Sequence, residues 1–157
     1  MSLDATARLA NVKDSLKKFF VDNLHTTEGL YLTFDKGLST PNIQGTAINQ
    51  WVSINFGPID MGTLSSMLLN IYCCTRQDSE GFRLAQLRDK VMGYLSDTTQ
   101  TDGMKRIPLY RSRASGAWTQ IGGGFVVQDV IESGQIDAPD ETKYRILTPQ
   151  LRWAAKI

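Results

Sequence analysis

The order of hydrophobic patterns constrains this chain most: one amphipathic helix, three strand-like runs, a second helix, then three more strand-like runs. Residues 4–24 carry Leu9, Val12, Leu16, Phe19 and Phe20 on one stripe at three- and four-residue steps. Lys13, Lys17 and Lys18 occupy the remaining face, and Asp14 can pair with Lys18 one turn on. Such a stripe is most simply a face packed on a sheet; a membrane-surface helix is the alternative, which Asp14 and Asp22 on the polar face disfavour. The second stripe is Leu84, Leu87, Val91 and Leu95, with Asp78 or Ser79 available to cap the first-turn amides.

Strand signals fill the intervals. Tyr31–Phe34 is short, aromatic and β-branched. Gly37–Gly45 has the turn chemistry of a loop. Gln50–Phe56 alternates, with Val52, Ile54 and Phe56 on one face and Trp51, Ser53 and Asn55 on the other, and Gly57-Pro58 is expected to turn the chain. Leu64–Thr75 is apolar on both faces, which places it in the centre of a sheet. Ile107–Ser112 contains Pro108, which lacks a ladder donor and so predicts an edge or a bulge. Ser115-Gly116 turns into Ala117–Ile131, Gly134–Glu141 reads as a polar loop, and Tyr144–Ala155 closes the chain, interrupted by Pro149. The expected fold is α+β: a mixed, mainly antiparallel sheet with both helices on one face, in the order α-β-β-β-α-β-β-β. A single domain over residues 1–157 suffices, since a chain of 157 residues buries an adequate core without staples.

Composition narrows the function classes. Seventeen basic residues against sixteen acidic ones give no overall pull toward polyanions. The most apolar stretch, Leu64–Cys74, is interrupted by Ser65, Ser66 and Asn70 and falls far short of the roughly 20 residues that cross a bilayer. Met1-Ser2-Leu3-Asp4 has no basic segment leading into an apolar one, so no secretory leader is expected. Cys73 and Cys74 are adjacent, and in a strand they point to opposite faces, which predicts buried, reduced thiols in a cytosolic setting.

Little in the chain points to chemistry. His25, the one histidine, follows the first helix, where it suits the C-terminal carbonyls, and no motif places a nucleophile or carboxylate beside it. Gly122-Gly123-Gly124 leads into Phe125-Val126-Val127, a strand, whereas a phosphate loop opens a helix; a bulge or close backbone approach is the better reading. The expectation is no catalytic residue, no cofactor site and no metal site. One charge pattern remains. Lys105, Arg106, Arg111 and Arg113 carry +4 without an acid between 105 and 113, and Asp129, Glu132, Asp137, Asp140 and Glu141 carry −5 without a base between 129 and 141. Solvated faces account for such runs; so do complementary patches meeting across a subunit boundary, with Arg111 and Arg113 opposite Asp137 and Asp140 of a neighbour. Nucleic-acid binding by the basic run is the weaker alternative, since Tyr110 alone makes no stacking platform.

Taken whole, the chain resembles the tail terminator proteins of long-tailed bacteriophages. The resemblance lies in the order of elements and in the helix ending at Phe19-Phe20, the Gln50-Trp51-Val52-Ser53-Ile54-Asn55-Phe56 strand, and the Leu68-Leu69-Asn70-Ile71-Tyr72 strand leading to Leu84-Ala85-Gln86-Leu87. It implies a homo-oligomer, a hexameric ring that caps the tail tube, ends its growth and presents a surface to the head. The implied partners are further copies of the chain, the tail tube protein and a neck or head-completion protein. No membrane and no specific nucleic acid are implied, beyond DNA passing through the ring. The implied location is the head-proximal end of the virion tail, with assembly in the host cytoplasm. Another head–tail joining protein, of neck or tail-completion type, is the alternative within the class; a small enzyme and a cellular binding module are the alternatives outside it. The loop at residues 36–49 departs from the pattern and, if extra, should project from the ring.

Overall fold

The computed structural model describes residues 9–35, 42–43, 46–47, 49–60, 65–78, 80–101, 103–111, 119–138 and 142–155. Helix α1 (Leu9–Phe20) runs on into a π-helical segment, Val21–Thr27, before the chain reverses. Strand β1 (Tyr31–Phe34) follows, then a small ribbon of β2 (Asn42–Ile43) and β3 (Thr46–Ala47), then β4 (Gln50–Asp60) and β5 (Ser65–Thr75). Helix α2 (Phe82–Leu95) leads to β6 (Arg106–Arg111), β7 (Thr119–Glu132), β8 (Ile136–Asp137) and β9 (Lys143–Ala155). The main sheet has seven strands in the order β1-β4-β5-β9-β7-β6, with β8 also paired to β9. β1 lies parallel to β4, and every other pairing in the sheet is antiparallel. The fold is therefore α+β, with both helices on one face of a mostly antiparallel sheet.

The core explains this arrangement. Val12, Leu16, Phe19 and Phe20 of α1 and Leu84, Leu87, Val91 and Leu95 of α2 are buried in one cluster. Against them pack Val52 and Ile54 of β4, Met67, Leu69, Ile71 and Cys73 of β5, Phe125 and Val127 of β7, and Leu147, Leu151 and Trp153 of β9. These strand residues alternate, so they share the face that meets the helices. The residues of both helical stripes are thus buried where their spacing selects, apart from Leu9, whose side chain is not among those described, and β5 lies inside the sheet as its two-faced apolarity requires.

Several local expectations are corrected. Gly57-Pro58 does not turn the chain: β4 continues to Asp60, and the register shifts between Phe56 and Ile59. The extra residue is absorbed as a bulge, and Gly57 is needed there because a Cβ would stand 2.6 Å from the Leu68 carbonyl oxygen. The polar stretch after Gly134 contains β8, paired to Tyr144 and Lys143. The expected Gly37–Gly45 loop contains β2, which pairs with β3 just beyond it. Pro149 does not interrupt β9, an internal strand; it pairs with Val130 in β7, and the β5–β9 ladder skips the Pro149 level without changing register. The missing donor thus falls on the β5 side, where the Thr148 hydroxyl donates to Asn70 Oδ1 at 3.3 Å.

Asp78 does supply the cap for α2, though from outside the turn. Gly81 is the residue preceding the helix, with φ of 75°, and Asp78 Oδ2 accepts the Leu84 amide at 2.9 Å and the Thr75 hydroxyl at 3.2 Å. Burial alone would raise the Asp78 carboxyl, but bonds from the Leu84 and Arg83 amides and the Thr75 hydroxyl outweigh it and hold it below the ordinary range. Arg83 closes the same turn by donating to the carbonyls of Arg76 and Gln77. The residue 79 alternative, residues 4–8 of the first helix and the turn at Ser115-Gly116 lie outside the described residues.

Candidate assembly surfaces

The residues singled out for chemistry are placed structurally. Cys73 and Cys74 are buried, unbridged, and on opposite faces of β5, opposite Val52 and Trp51. Burial pushes the Cys73 thiol up to about 12 and raises that of Cys74 as well, so neither forms the reactive thiolate near neutrality. We expect both thiols to resist alkylation in the folded protein and to react at least about a hundredfold faster in denaturant; rapid native-state labelling of either would show the burial to be wrong. His25 lies within the π-helical segment, and its Nδ1 donates to the Leu30 carbonyl at 2.9 Å, bracing the reversal into β1. Gly124 is the close approach expected of the glycine run: it pairs with Pro108, and a Cβ there would stand 2.9 Å from the Ile107 carbonyl oxygen. Among the described residues no three His, Cys, Asp or Glu side chains are grouped to hold a metal ion.

The charged runs lie along one ribbon. Arg111 ends β6 opposite Thr119, at the start of β7, whereas the acidic run occupies the end of β7 and β8. The fourteen residues of β7, from Thr119 to Glu132, span about 43 Å along the strand. The Arg111 end of the basic run is therefore far from the acidic run, whereas its Lys105-Arg106 end lies against Val126 and Val127, next to Asp129. Arg113 and Asp140 lie outside the described residues. Asp137 on β8 pairs with Lys143 at 2.9 Å while 67% of its side chain stays exposed.

Glu132 is the best-held of the described acids of its run. Arg88 of α2 grips both its oxygens, at 2.7 and 2.8 Å, and Arg145 approaches at 3.4 Å. The Arg88 bonds depress the Glu132 carboxyl and raise the Arg88 guanidinium in turn. This clamp ties α2 to the sheet. No local pattern announces it, because Arg88 and Glu132 are 44 residues apart.

The two long edges of the sheet differ in how they are finished. Along β6, the Ser15 hydroxyl of α1 accepts the Tyr110 amide at 2.9 Å and donates to the Tyr110 carbonyl at 3.3 Å, and Pro108 has no amide to offer. Helix and proline together close β6 to a further strand. On the other side, β1 is the last strand of the sheet. Lys13 stands beside its end, bonded to Asp35 at 2.9 Å and 4.8 Å from the Phe56 ring centre, and Lys17 lies 5.6 Å from that of Phe34. Asp35, with φ of 56°, also accepts the Phe56 amide at 3.0 Å. Burial would raise its carboxyl; the bonds from Lys13 and Phe56 hold it low.

The large hydrophobic side chains exposed among the described residues, Phe82 and Ile131, are both 67% exposed. Ile131 belongs to the acidic end of β7. Phe82 begins α2 beside Gly81, whose backbone lies against the Gln135 side chain between β7 and β8. No helix among the described residues is long and apolar enough to cross a membrane.

No protein-family model matches the chain, and no curated protein matches it. Among solved structures, a protein identified only by a sequence number superposes with a TM-score of 0.54 at 8% identity, over 92% of this chain and 96% of that one. The likeness extends to the fold.

Proposed function

We propose that this protein is a phage virion structural protein that caps the tail tube as a hexameric ring, ends tail polymerisation and offers the surface to which the head joins. The observation that supports the reading is the resemblance to tail terminators in the order of elements, together with an α+β fold whose two helices pack on one face of the main sheet, β2, β3 and β8 being short additions to the expected order. A capping ring needs each subunit to present two unlike lateral surfaces and a face that does not repeat the tube. The chain offers unlike edges: an acidic one at the end of β7 and a lysine-flanked one at β1. Its partners on this reading are its own copies, the tail tube protein and a neck or head-completion protein, and its place is the head-proximal end of the tail.

The test is a phage in which this gene is disrupted. Electron microscopy should show tails extended well beyond normal length and unjoined to heads, because a growing tube has an unsaturated end until a different surface covers it. Tails of normal length would overturn the terminator reading, and normal tails without heads would assign the protein to a neck or completion role.

A further inference from the structure

We infer that the ring is joined edge to edge: the free side of β1 in one copy adds, antiparallel, beside the free side of the Glu132–Ile136 stretch of the next. This deepens the ring reading above and rests on it for the occupant, a second copy of this chain.

The register across the sheet carries the inference. One row of partners runs Glu132, Leu147, Ile71, Ile54, Phe34 from one edge to the other. A second runs Ile136, Tyr144, Cys74, Trp51, Tyr31. The four residues of β1 thus lie at the same level as Glu132–Ile136, on the opposite edge. β6 stops short of this level, since its pairing with β7 ends at Val126. Among the described residues no strand pairs with the outer side of either stretch.

Direction agrees with level. β1 runs parallel to β4, β5 opposes β4, β9 opposes β5, and β7 and β8 oppose β9. β1 and the β7–β8 edge therefore run oppositely, and copies placed side by side in one orientation bring them together as an antiparallel pair. A head-to-tail contact closes as a ring when the rotation between successive copies closes and they do not slide along the strands, and the shared level meets the second condition. The blocked β6 edge leaves this level as the place for strand addition.

The chemistry of the two edges is complementary. Phe82 is exposed beside the β7–β8 edge on the helix-bearing side, the side on which half-buried Leu32 and Phe34 of β1 lie, whereas Ile131 is exposed on the opposite face, one level beyond Glu132. Glu132 is held by Arg88 and Arg145, which leaves exposed Asp129 and Asp137, the latter paired with Lys143, as the acids of the first edge; Lys17 and the Asp35-bound Lys13 flank the second. The acidic run thus meets α1 lysines of the neighbour in preference to its Arg111 stretch, which sits at another level.

The test uses cysteines on the two edges, Thr33→Cys and Gly134→Cys, in the full-length protein with a short bis-maleimide. A Cβ at Gly134 meets nothing within 4 Å, so that change leaves the fold undisturbed, and the native thiols are buried. The doubly substituted chain should give a ladder of cross-linked species ending in a closed ring. The two single variants mixed should give covalent dimers of one of each, and neither alone should cross-link. Ile131→Asp should cut ladder formation about tenfold or more. Cross-linking of a single variant to itself would replace the inference with a two-fold pairing of like edges. Absence of the ladder at any protein concentration would overturn it. The tail-length test is independent: overlong tails in the disrupted phage without a ladder keep the terminator reading and discard the edge contact, and a ladder with normal tails does the reverse.

Discussion

Trp153→Ala is expected to cost about 3–5 kcal/mol and to leave the protein largely unfolded under mild denaturant. Trp153 is 1% exposed, sits in β9 between its neighbours Ser65 on β5 and Phe125 on β7, and packs its ring 5.2 Å from that of Phe125. Truncation removes a large side chain from the middle of the sheet, where strands on both sides prevent collapse into the space. Against a total stability of roughly 5–15 kcal/mol the loss is severe, and Tm should fall by about 10 °C or more. Trp153→Phe keeps most of the volume and removes an indole N–H that is buried without a hydrogen-bond partner among the described residues. It should cost much less, about 1–2 kcal/mol. Equal losses for the two variants, measured by urea unfolding with unchanged m, would mean that the cavity is not what matters at this position.

Gly57→Ala is the second large effect, and it acts through the backbone. The new Cβ would approach the Leu68 carbonyl oxygen to 2.6 Å, a contact that β4 and β5 relieve only by separating at the bulge. Overpacking of this kind costs about 1–3 kcal/mol, and a backbone obstacle puts Gly57 at the upper end. Gly93→Ala is the control with the opposite sign. It lies in α2 with open space around its Cβ, so the substitution should stabilise by about 0.5–1 kcal/mol through helix propensity. Chemical denaturation of the two variants beside the parent checks both signs. A neutral Gly57→Ala would show that the bulge has room the geometry denies.

The two alanine substitutions separate what local pattern can and cannot reveal. In the sequence, Gly57-Pro58 carries ordinary turn chemistry, and only pairing with β5 makes it a bulge inside a continuing strand. Pro149 is similar. A proline inside a strand argues against a central position, yet β9 is central because the ladder omits its contact on the β5 side and Thr148 bridges to Asn70 there. The Arg88–Glu132 clamp and the Ser15–Tyr110 edge seal were invisible for the same reason. Each joins residues 44 or 95 positions apart, and a window along the chain cannot contain both.

What the sequence by itself determined was which faces are buried. Leu84, Leu87, Val91 and Leu95 on α2, Val12 through Phe20 on α1, and alternating Val52 and Ile54 on β4 all lie in one core, because hydrophobic periodicity is a local property that water enforces wherever the element ends up. The buried cysteines and the place of Pro108 at an edge beside a bulge follow from the same local chemistry. Only the tertiary structure decided the order of strands, and with it which edges are left open. β9, last in the chain, inserts between β5 and β7, and this insertion carries the acidic end of β7 to the level of β1 on the far side of the sheet. Strand order is set by long-range packing that no stretch of the chain encodes alone, so the candidate contact shifts from a match between two charged runs to a match between two sheet edges.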